Sequence, residues 1–193
     1  MSENLRRFAS AAFMLDAVAQ RVPNDAWDNP SCCEGWSARE VGGHAGRVIT
    51  SIANLASGAE PPAAQPEAEV LGDDPAVGMR SIVQTMLLQL DQQGVLAAVV
   101  RTPFGKMPLD RWIGVLWVDP LTHAWDLADA TGVAHGIDGE TASTAHAIMQ
   151  PISDGLRSAG MYAAPVEIWG GDPVSDFIAF TGRTPIGSPH GRV

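Results

Sequence analysis

The chain has 193 residues, of which 46% are hydrophobic and 18% charged, and this predicts a single globular domain over residues 1–193. Acidic residues outnumber basic ones by 22 to 12, for a formal net charge of −10, which argues against nucleic-acid or anionic-membrane partners because both need a basic surface. There is neither an apolar run of the roughly 18 residues that span a membrane nor an apolar signal core, and the only two cysteines are adjacent, so we predict a cytoplasmic protein.

Apolar residues at helical spacing predict a first helix from Leu5 to Val22, ending before Pro23. Ser37 and Glu40 form a capping-box pattern that predicts the start of a second helix, with His44 inside its apolar stripe. Residues 57–76 are rich in Pro, Ala, Gly and acids and predict a long connection. A third helix is predicted from Val77 to Leu90.

The next segment, residues 95–118, is ambiguous. Two apolar runs flank a turn that contains proline and glycine, which is typical of a β-hairpin, but a turn that leads into a helix from about Asp110 is equally consistent. A last helix is predicted from Glu140 to Leu156, followed from Ala163 by a turn-rich tail in which residues 166–169 could form a short strand. Helices joined by loops of unequal length predict an all-α bundle.

Three polar residues lie on one side of a helix drawn through residues 111–130. Asp119 and His123 are four residues apart and Asp126 follows one turn later, so all three side chains point the same way. His44 points inward from the second helix. Because burying an unpaired carboxylate costs several kcal/mol, these inward polar groups predict a shared metal ion.

Two imidazoles and one carboxylate suit zinc, with nickel or iron as alternatives, better than calcium or magnesium. Three protein ligands would leave a coordination position open for a water or for a thiolate, and a bound ion lowers the pKa of either.

Simpler interpretations exist for each residue. His44 could be a hydrogen-bonded core histidine, and Asp126 could pair with an arginine such as Arg47. Asp119 could cap a helix that begins at Pro120, with residues 112–118 forming a strand; otherwise Pro120 kinks a continuous helix. The pattern leaves these alternatives open, and we interpret the adjacent cysteines as packing residues.

Three motifs in order resemble one known family. The segments PSCCEGWSAREVGGHAGRV, DPLTHAWDLADATG and FIAFTGRTP resemble the DinB-like metal-binding four-helix bundles, and more closely the actinobacterial branch named for mycothiol-dependent maleylpyruvate isomerase. The resemblance covers about residues 3–185. It implies a DinB-like bundle of up-down-down-up type with a divalent ion between helices. Together with the segment compositions above, this predicts a DinB-like four-helix bundle with a long connection between helices 2 and 3 and a turn-rich C-terminal tail.

Residue by residue, the resemblance implies that His44, Asp119 and His123 are the metal ligands and that Asp126 is an acid near the active site. It also implies a helix that runs through Asp119 with a kink at Pro120. The isomerase has a second, C-terminal domain that contributes to its active site. A chain of 193 residues has no room for one, which argues against maleylpyruvate isomerisation itself.

We therefore predict a metal-dependent enzyme that uses a low-molecular-weight thiol, mycothiol, for transfer to an electrophile or for isomerisation. Asp126 would orient His123 or move a proton as a catalytic residue, and Arg101 would bind an anionic group of a small-molecule substrate. A hydrolase that activates water at the same ion and a non-enzymatic metal-binding or regulatory bundle are the alternatives. The chain could be a monomer or a homodimer.

Overall fold

Helices dominate the structure, a computed structural model that describes residues 1–59, 63–158, 160, 162–168 and 171–185. No helix in this part of the chain is long and apolar enough to cross a membrane. The all-α prediction is confirmed, with one short hairpin added to the helices. The elements are α1 (Glu3–Ala19), α2 (Ala38–Ser57), α3 (Pro75–Leu90), β1 (Val99–Thr102), β2 (Gly105–Pro108), α4 (Leu109–Leu116), α5 (Val118–Thr131), α6 (Gly139–Met149), α7 (Ser153–Ser158) and α8 (Pro173–Phe180).

The chain divides into two units, residues 1–135 and 136–193, and the single domain over 1–193 stays a prediction. In the first unit α2 packs on α3 and α5, while α1 packs on α3, α4 and α5. With α4 and α5 acting together as the fourth helix, this is a four-helix bundle. Its fully buried core side chains include Phe8, Leu15, Ile49, Met79, Ile113 and Leu121.

The helix starts follow from local hydrogen bonding. Ser37 accepts from the Glu40 N–H while the Glu40 carboxylate accepts from the Ser37 backbone, so the predicted capping box is confirmed. Helix α3 begins with Pro75 after the cap Asp74, whose side chain accepts from Val77 N–H. Such caps each stabilise a helix by about 1 kcal/mol.

The long connection between α2 and α3 is bound closely to both helices. It contains a 3-10 turn, Glu67–Glu69. A Cβ on Gly43 of α2 would lie 1.9 Å from the Glu67 carbonyl oxygen, and one on Gly78 of α3 would lie 2.0 Å from that of Leu71. Glycine at these two positions therefore lets the connection's backbone approach both helices.

Both alternatives for residues 95–118 are partly right. Strands β1 and β2 form an antiparallel hairpin in which Val99 pairs with Pro108 and Thr102 with Gly105. The chain then enters α4 at Leu109, whose N–H donates to the Ala98 carbonyl at 2.8 Å.

Helices α4 and α5 are separated by a single residue, Trp117. Helix α4 ends at Leu116 and α5 begins at Val118, while Trp117 between them keeps a right-handed helical backbone. Pro120 has no N–H to donate to the Leu116 carbonyl, and its ring crowds that oxygen. Residues 112–118 are thus helical rather than a strand, and the interpretation of Asp119 as a helix cap is wrong.

In the second unit, residues 136–193, the structure differs from the predictions at three places. The helix predicted from Glu140 to Leu156 is interrupted by a 3-10 turn, Gln150–Ile152, because Pro151 cannot continue the α-helical hydrogen bonds. Residues 166–168 are not a strand, since the Val166 N–H donates to the carbonyl of Ala179 in α8 instead; Trp169 lies outside the described residues. Helix α8, capped by Asp172, was not predicted in this tail.

Candidate metal centre

The structure brings together the three predicted ligands from two helices. His44 comes from α2, and Asp119 and His123 come from α5. Their ligand atoms all lie within 4.8 Å of one another. The Nε2 atom of His123 is 3.8 Å from Asp119 Oδ2, and the two imidazole rings meet edge to face with centroids 5.0 Å apart.

The charge balance and spacing of this cluster fit a cation. Asp119 Oδ1 is buried and has no hydrogen-bond partner in the part of the chain that the structure describes, a situation that costs free energy unless a cation is close. Around zinc, with bonds of about 2.0–2.1 Å to nitrogen and oxygen, tetrahedral ligands lie roughly 3.3 Å apart. The His123–Asp119 separation would therefore need to close by about 0.5 Å.

Asp126 fixes the orientation of His123. Its Oδ2 atom lies 2.8 Å from His123 Nδ1, and its side chain is fully buried. Because an ionised carboxylate only accepts hydrogen bonds, this contact favours the tautomer with the proton on Nδ1 and the lone pair on Nε2, on the side of Asp119. Partners of this kind are typical of histidines that bind metal.

His44 has a corresponding carboxylate, Glu67, from the connection between α2 and α3. Glu67 Oε1 lies 3.4 Å from His44 Nδ1 and also forms an ion pair with Arg47. Arg47 therefore pairs with Glu67, and the interpretation that it pairs with Asp126 is wrong. Glu67 was missed, because nothing in an irregular, acid-rich connection indicates which of its carboxylates faces the bundle.

The pKa of His44 favours the neutral form that binds metals. Burial lowers this pKa, and the neighbouring His123 and Arg47 lower it further, against the opposite effect of Asp119 and Asp126. Few protons then compete with an ion at neutral pH.

The adjacent cysteines lie on the other side of Asp126. Cys32 Sγ is 3.1 Å from Asp126 Oδ1, and Cys33 Sγ is 3.6 Å from Oδ2. The pKa of Cys32 is raised by its hydrogen bond with Cys33, by burial and by the charge of Asp126. Both thiols are half-buried and contact a carboxylate, a contact that the interpretation of the pair as packing residues did not predict. Their position just before the helix of His44 was the available signal.

Residues 8–128 match the family model described as the mycothiol maleylpyruvate isomerase N-terminal domain. The match spans well over half of the chain and includes the whole cluster. The chain belongs to this family. The predicted resemblance is thereby confirmed, and the ligand groups and the family together fit a divalent metal ion.

Relatives of this member of the mycothiol maleylpyruvate isomerase N-terminal domain family occur in mycobacteria. It is 28% identical over 174 residues to an uncharacterized protein of Mycobacterium tuberculosis strain CDC 1551 / Oshkosh and to one of strain ATCC 25618 / H37Rv. Each alignment covers 87% of this chain and 91% of the relative. No solved structure matches the chain significantly.

Arg101, predicted to bind substrate in this family member, is exposed on β1, where it faces Lys106 of β2 in the register of the hairpin. The hairpin thus presents two cationic side chains at paired positions. That Arg101 binds an anionic substrate group stays a prediction.

Proposed function

We propose that the protein is a metal-dependent enzyme that uses a low-molecular-weight thiol, mycothiol, on a small electrophilic or isomerisable substrate. The observation that carries this proposal is the set of His44, Asp119 and His123, in which both histidines have a carboxylate at Nδ1. A site with three protein ligands keeps a position open for a further ligand, as catalytic zinc sites do. The family description supports mycothiol as the thiol.

Solvent access supports a reactive rather than a closed site. The side chains of His44 and Asp119 are 31% and 26% exposed, whereas that of His123 is 10% exposed. A small molecule could therefore approach beside His44 and Asp119, while His123 lies at the inner end of the cluster.

His44, Asp119 and His123 would hold the ion, with zinc favoured and nickel or iron as alternatives. When bound, such an ion supplies a thiolate nucleophile near neutral pH by lowering the pKa of the thiol that it binds. The chain's own contribution is to keep two neutral imidazoles and one carboxylate aimed at the same point.

Asp126 acts in this proposal as a positioning residue. Because its side chain is fully buried and touches His123 Nδ1, it would hold the proton on that nitrogen and leave Nε2 for the ion. Arg101, exposed on the hairpin, is proposed to bind an anionic group of the substrate.

The test compares untagged wild-type protein with His44→Ala and with His146→Ala, which removes a histidine outside the cluster. We expect His44→Ala to lower the metal content by about one ion per chain and to abolish the metal-dependent reaction of mycothiol with an electrophilic probe. His146→Ala should change neither.

The outcomes separate the candidate functions. Metal-dependent turnover that proceeds equally well without the thiol would identify a hydrolase. If zinc-loaded protein does not accelerate any thiol reaction, the thiol-enzyme proposal fails and a non-enzymatic role gains support. Unchanged metal content in His44→Ala would overturn the ligand set itself.

A further inference from the structure

We propose that Cys32, Cys33 and Asp126 form a second metal site, separate from that of His44, Asp119 and His123, for a thiophilic divalent ion of the zinc and cadmium class. Each of the three residues offers one ligand atom, and these atoms lie within 4.8 Å of one another. Two sulfur ligands favour such ions over magnesium or calcium, which prefer oxygen.

The distances already approach those of a coordination sphere. Around zinc, with bonds of about 2.3 Å to sulfur and 2.0 Å to oxygen, a tetrahedral sulfur and oxygen lie roughly 3.5 Å apart. The structure places Cys32 Sγ 3.1 Å from Asp126 Oδ1, close to this spacing, whereas Cys33 Sγ contacts the other carboxylate oxygen, Oδ2, at 3.6 Å. Because one ligand atom from each of the three residues lies within 4.8 Å of the others, an ion at Oδ1 would replace the thiol protons once the Cys33 thiol turns toward it.

A hydrogen-bonded loop holds the two thiols in place. Ser31 Oγ accepts from the Cys33 N–H at 3.1 Å and donates to the Trp36 carbonyl at 2.8 Å. The Trp36 N–H donates to the Cys33 carbonyl at 3.0 Å, and Pro30 and Ser37 close the loop as a β-bridge. Asp126, the third ligand, is fully buried at the base of this loop. All three ligands are therefore held in place by the fold before any ion binds.

The second site lies on the opposite edge of the His123 ring from the first. Asp126 contacts His123 at Nδ1, whereas Asp119 lies on the side of Nε2. Asp126 Oδ1, next to Cys32, could bind the second ion while Oδ2 keeps its hydrogen bond with His123. The two sites are thus adjacent but use different protein ligands.

Both cysteines are half-buried rather than enclosed, so an ion can reach them from solvent. Three protein ligands again leave a fourth position for water or for an external ligand.

The test is a Cd²⁺ titration of metal-free, full-length protein, followed by equilibrium dialysis and by the ultraviolet charge-transfer band of thiolate bound to cadmium. The variants are Cys32→Ser/Cys33→Ser and His44→Ala. Glu34→Gln, which changes an exposed carboxylate beside Cys33, is the matched control. Far-ultraviolet circular dichroism checks that each variant is folded.

We expect wild type and Glu34→Gln to bind two Cd²⁺ per chain and to show the band. The double cysteine variant should lose the band and one ion, while His44→Ala should lose one ion and keep the band. The single-residue variants Cys32→Ala and Cys33→Ala should each weaken the band. They test the proposal if the double variant does not fold.

A band that persists without the cysteines, or its absence in wild type, would overturn the proposal. Loss of the band in folded His44→Ala would also overturn it, because the thiols would then share the ion of the first site. If His44→Ala loses one ion and keeps the band, the second site is supported independently of the proposed thiol chemistry.

Discussion

The two histidines of the cluster have similar partners but reach them in different ways. His123 takes its carboxylate from Asp126, three residues further along the same helix, at 2.8 Å and fully buried. His44 takes its carboxylate from Glu67, on an irregular connection 23 residues away, at 3.4 Å and shared with Arg47.

The His123–Asp126 contact is therefore local, within one helix, whereas the His44–Glu67 contact depends on tertiary packing. Helical geometry alone places Asp126 beside His123, so their contact requires only that α5 be formed. The Glu67 contact exists only because the connection packs against α2 at Gly43. We therefore expect the orientation of His123 to be the stiffer of the two, and its disruption to cost more metal affinity.

The largest effect is expected from Asp126→Asn. An asparagine amide can donate to Nδ1 and thereby shift the imidazole proton to Nε2, which removes the lone pair that would bind the ion. We expect the zinc affinity of the site of His44, Asp119 and His123, measured by competition with a chelator in the Cys32→Ser/Cys33→Ser background, to fall by about 100-fold, near the upper end for loss of such a partner.

Asp28→Asn, which makes the same change at an exposed site, is the control for Asp126→Asn and should leave the affinity unchanged. If folded Asp126→Asn binds zinc as tightly as wild type, Asp126 does not position His123. The expectation that the orientation of His123 matters more for metal affinity than that of His44 would then be wrong.

Sequence was sufficient wherever the relevant contacts are local. The spacing of Asp119, His123 and Asp126 predicted their common face, and the Ser37–Glu40 pattern predicted the start of α2. Spacing alone did not decide between a cap and a kink at Pro120. The resemblance to a family favoured a helix that runs through Asp119, and the helical backbone at Trp117 confirms this part of the prediction.

Sequence was insufficient where the contact depends on packing between distant segments. Glu67 is one of several acids in a connection without periodicity, and only the close approach at Gly43 selects it. The cysteines carried a weak signal, because adjacent thiols fit no spacing rule for zinc, and only the fold brings Asp126 to them. Helix α8 was obscured by the glycines and prolines of the tail around it.

An intermediate effect is expected from Gly43→Ala. The added Cβ would lie 1.9 Å from the Glu67 carbonyl oxygen, so the connection must move away from α2 and take Glu67 with it. We expect a loss of about 1–3 kcal/mol in the free energy of unfolding, as for other overpacked sites, and a fall in zinc affinity of about 10- to 30-fold.

Gly46→Ala is the matched comparison for Gly43→Ala, because its Cβ would meet side-chain rather than backbone atoms: Ile82 and Leu71 at 3.1 Å and Val70 at 3.6 Å. These side chains can adjust, so it should change zinc affinity less. Equal effects of the two variants, in chemical denaturation and in zinc binding, would show that the connection is not held through Gly43.

The smallest effect is expected from Glu67→Gln, which removes the charge of the carboxylate that contacts His44 Nδ1 without moving the backbone. The amide oxygen can still accept from Nδ1, but the charge that stabilises the imidazole and pairs with Arg47 is lost. Because this carboxylate is shared, more distant than Asp126 and 17% exposed, we expect zinc affinity to fall by only about 3- to 10-fold. Glu69→Gln, an exposed carboxylate in the same turn, should leave it unchanged. A fall as large as that of Asp126→Asn would mean that the tertiary contact orients its histidine as firmly as the helical one does.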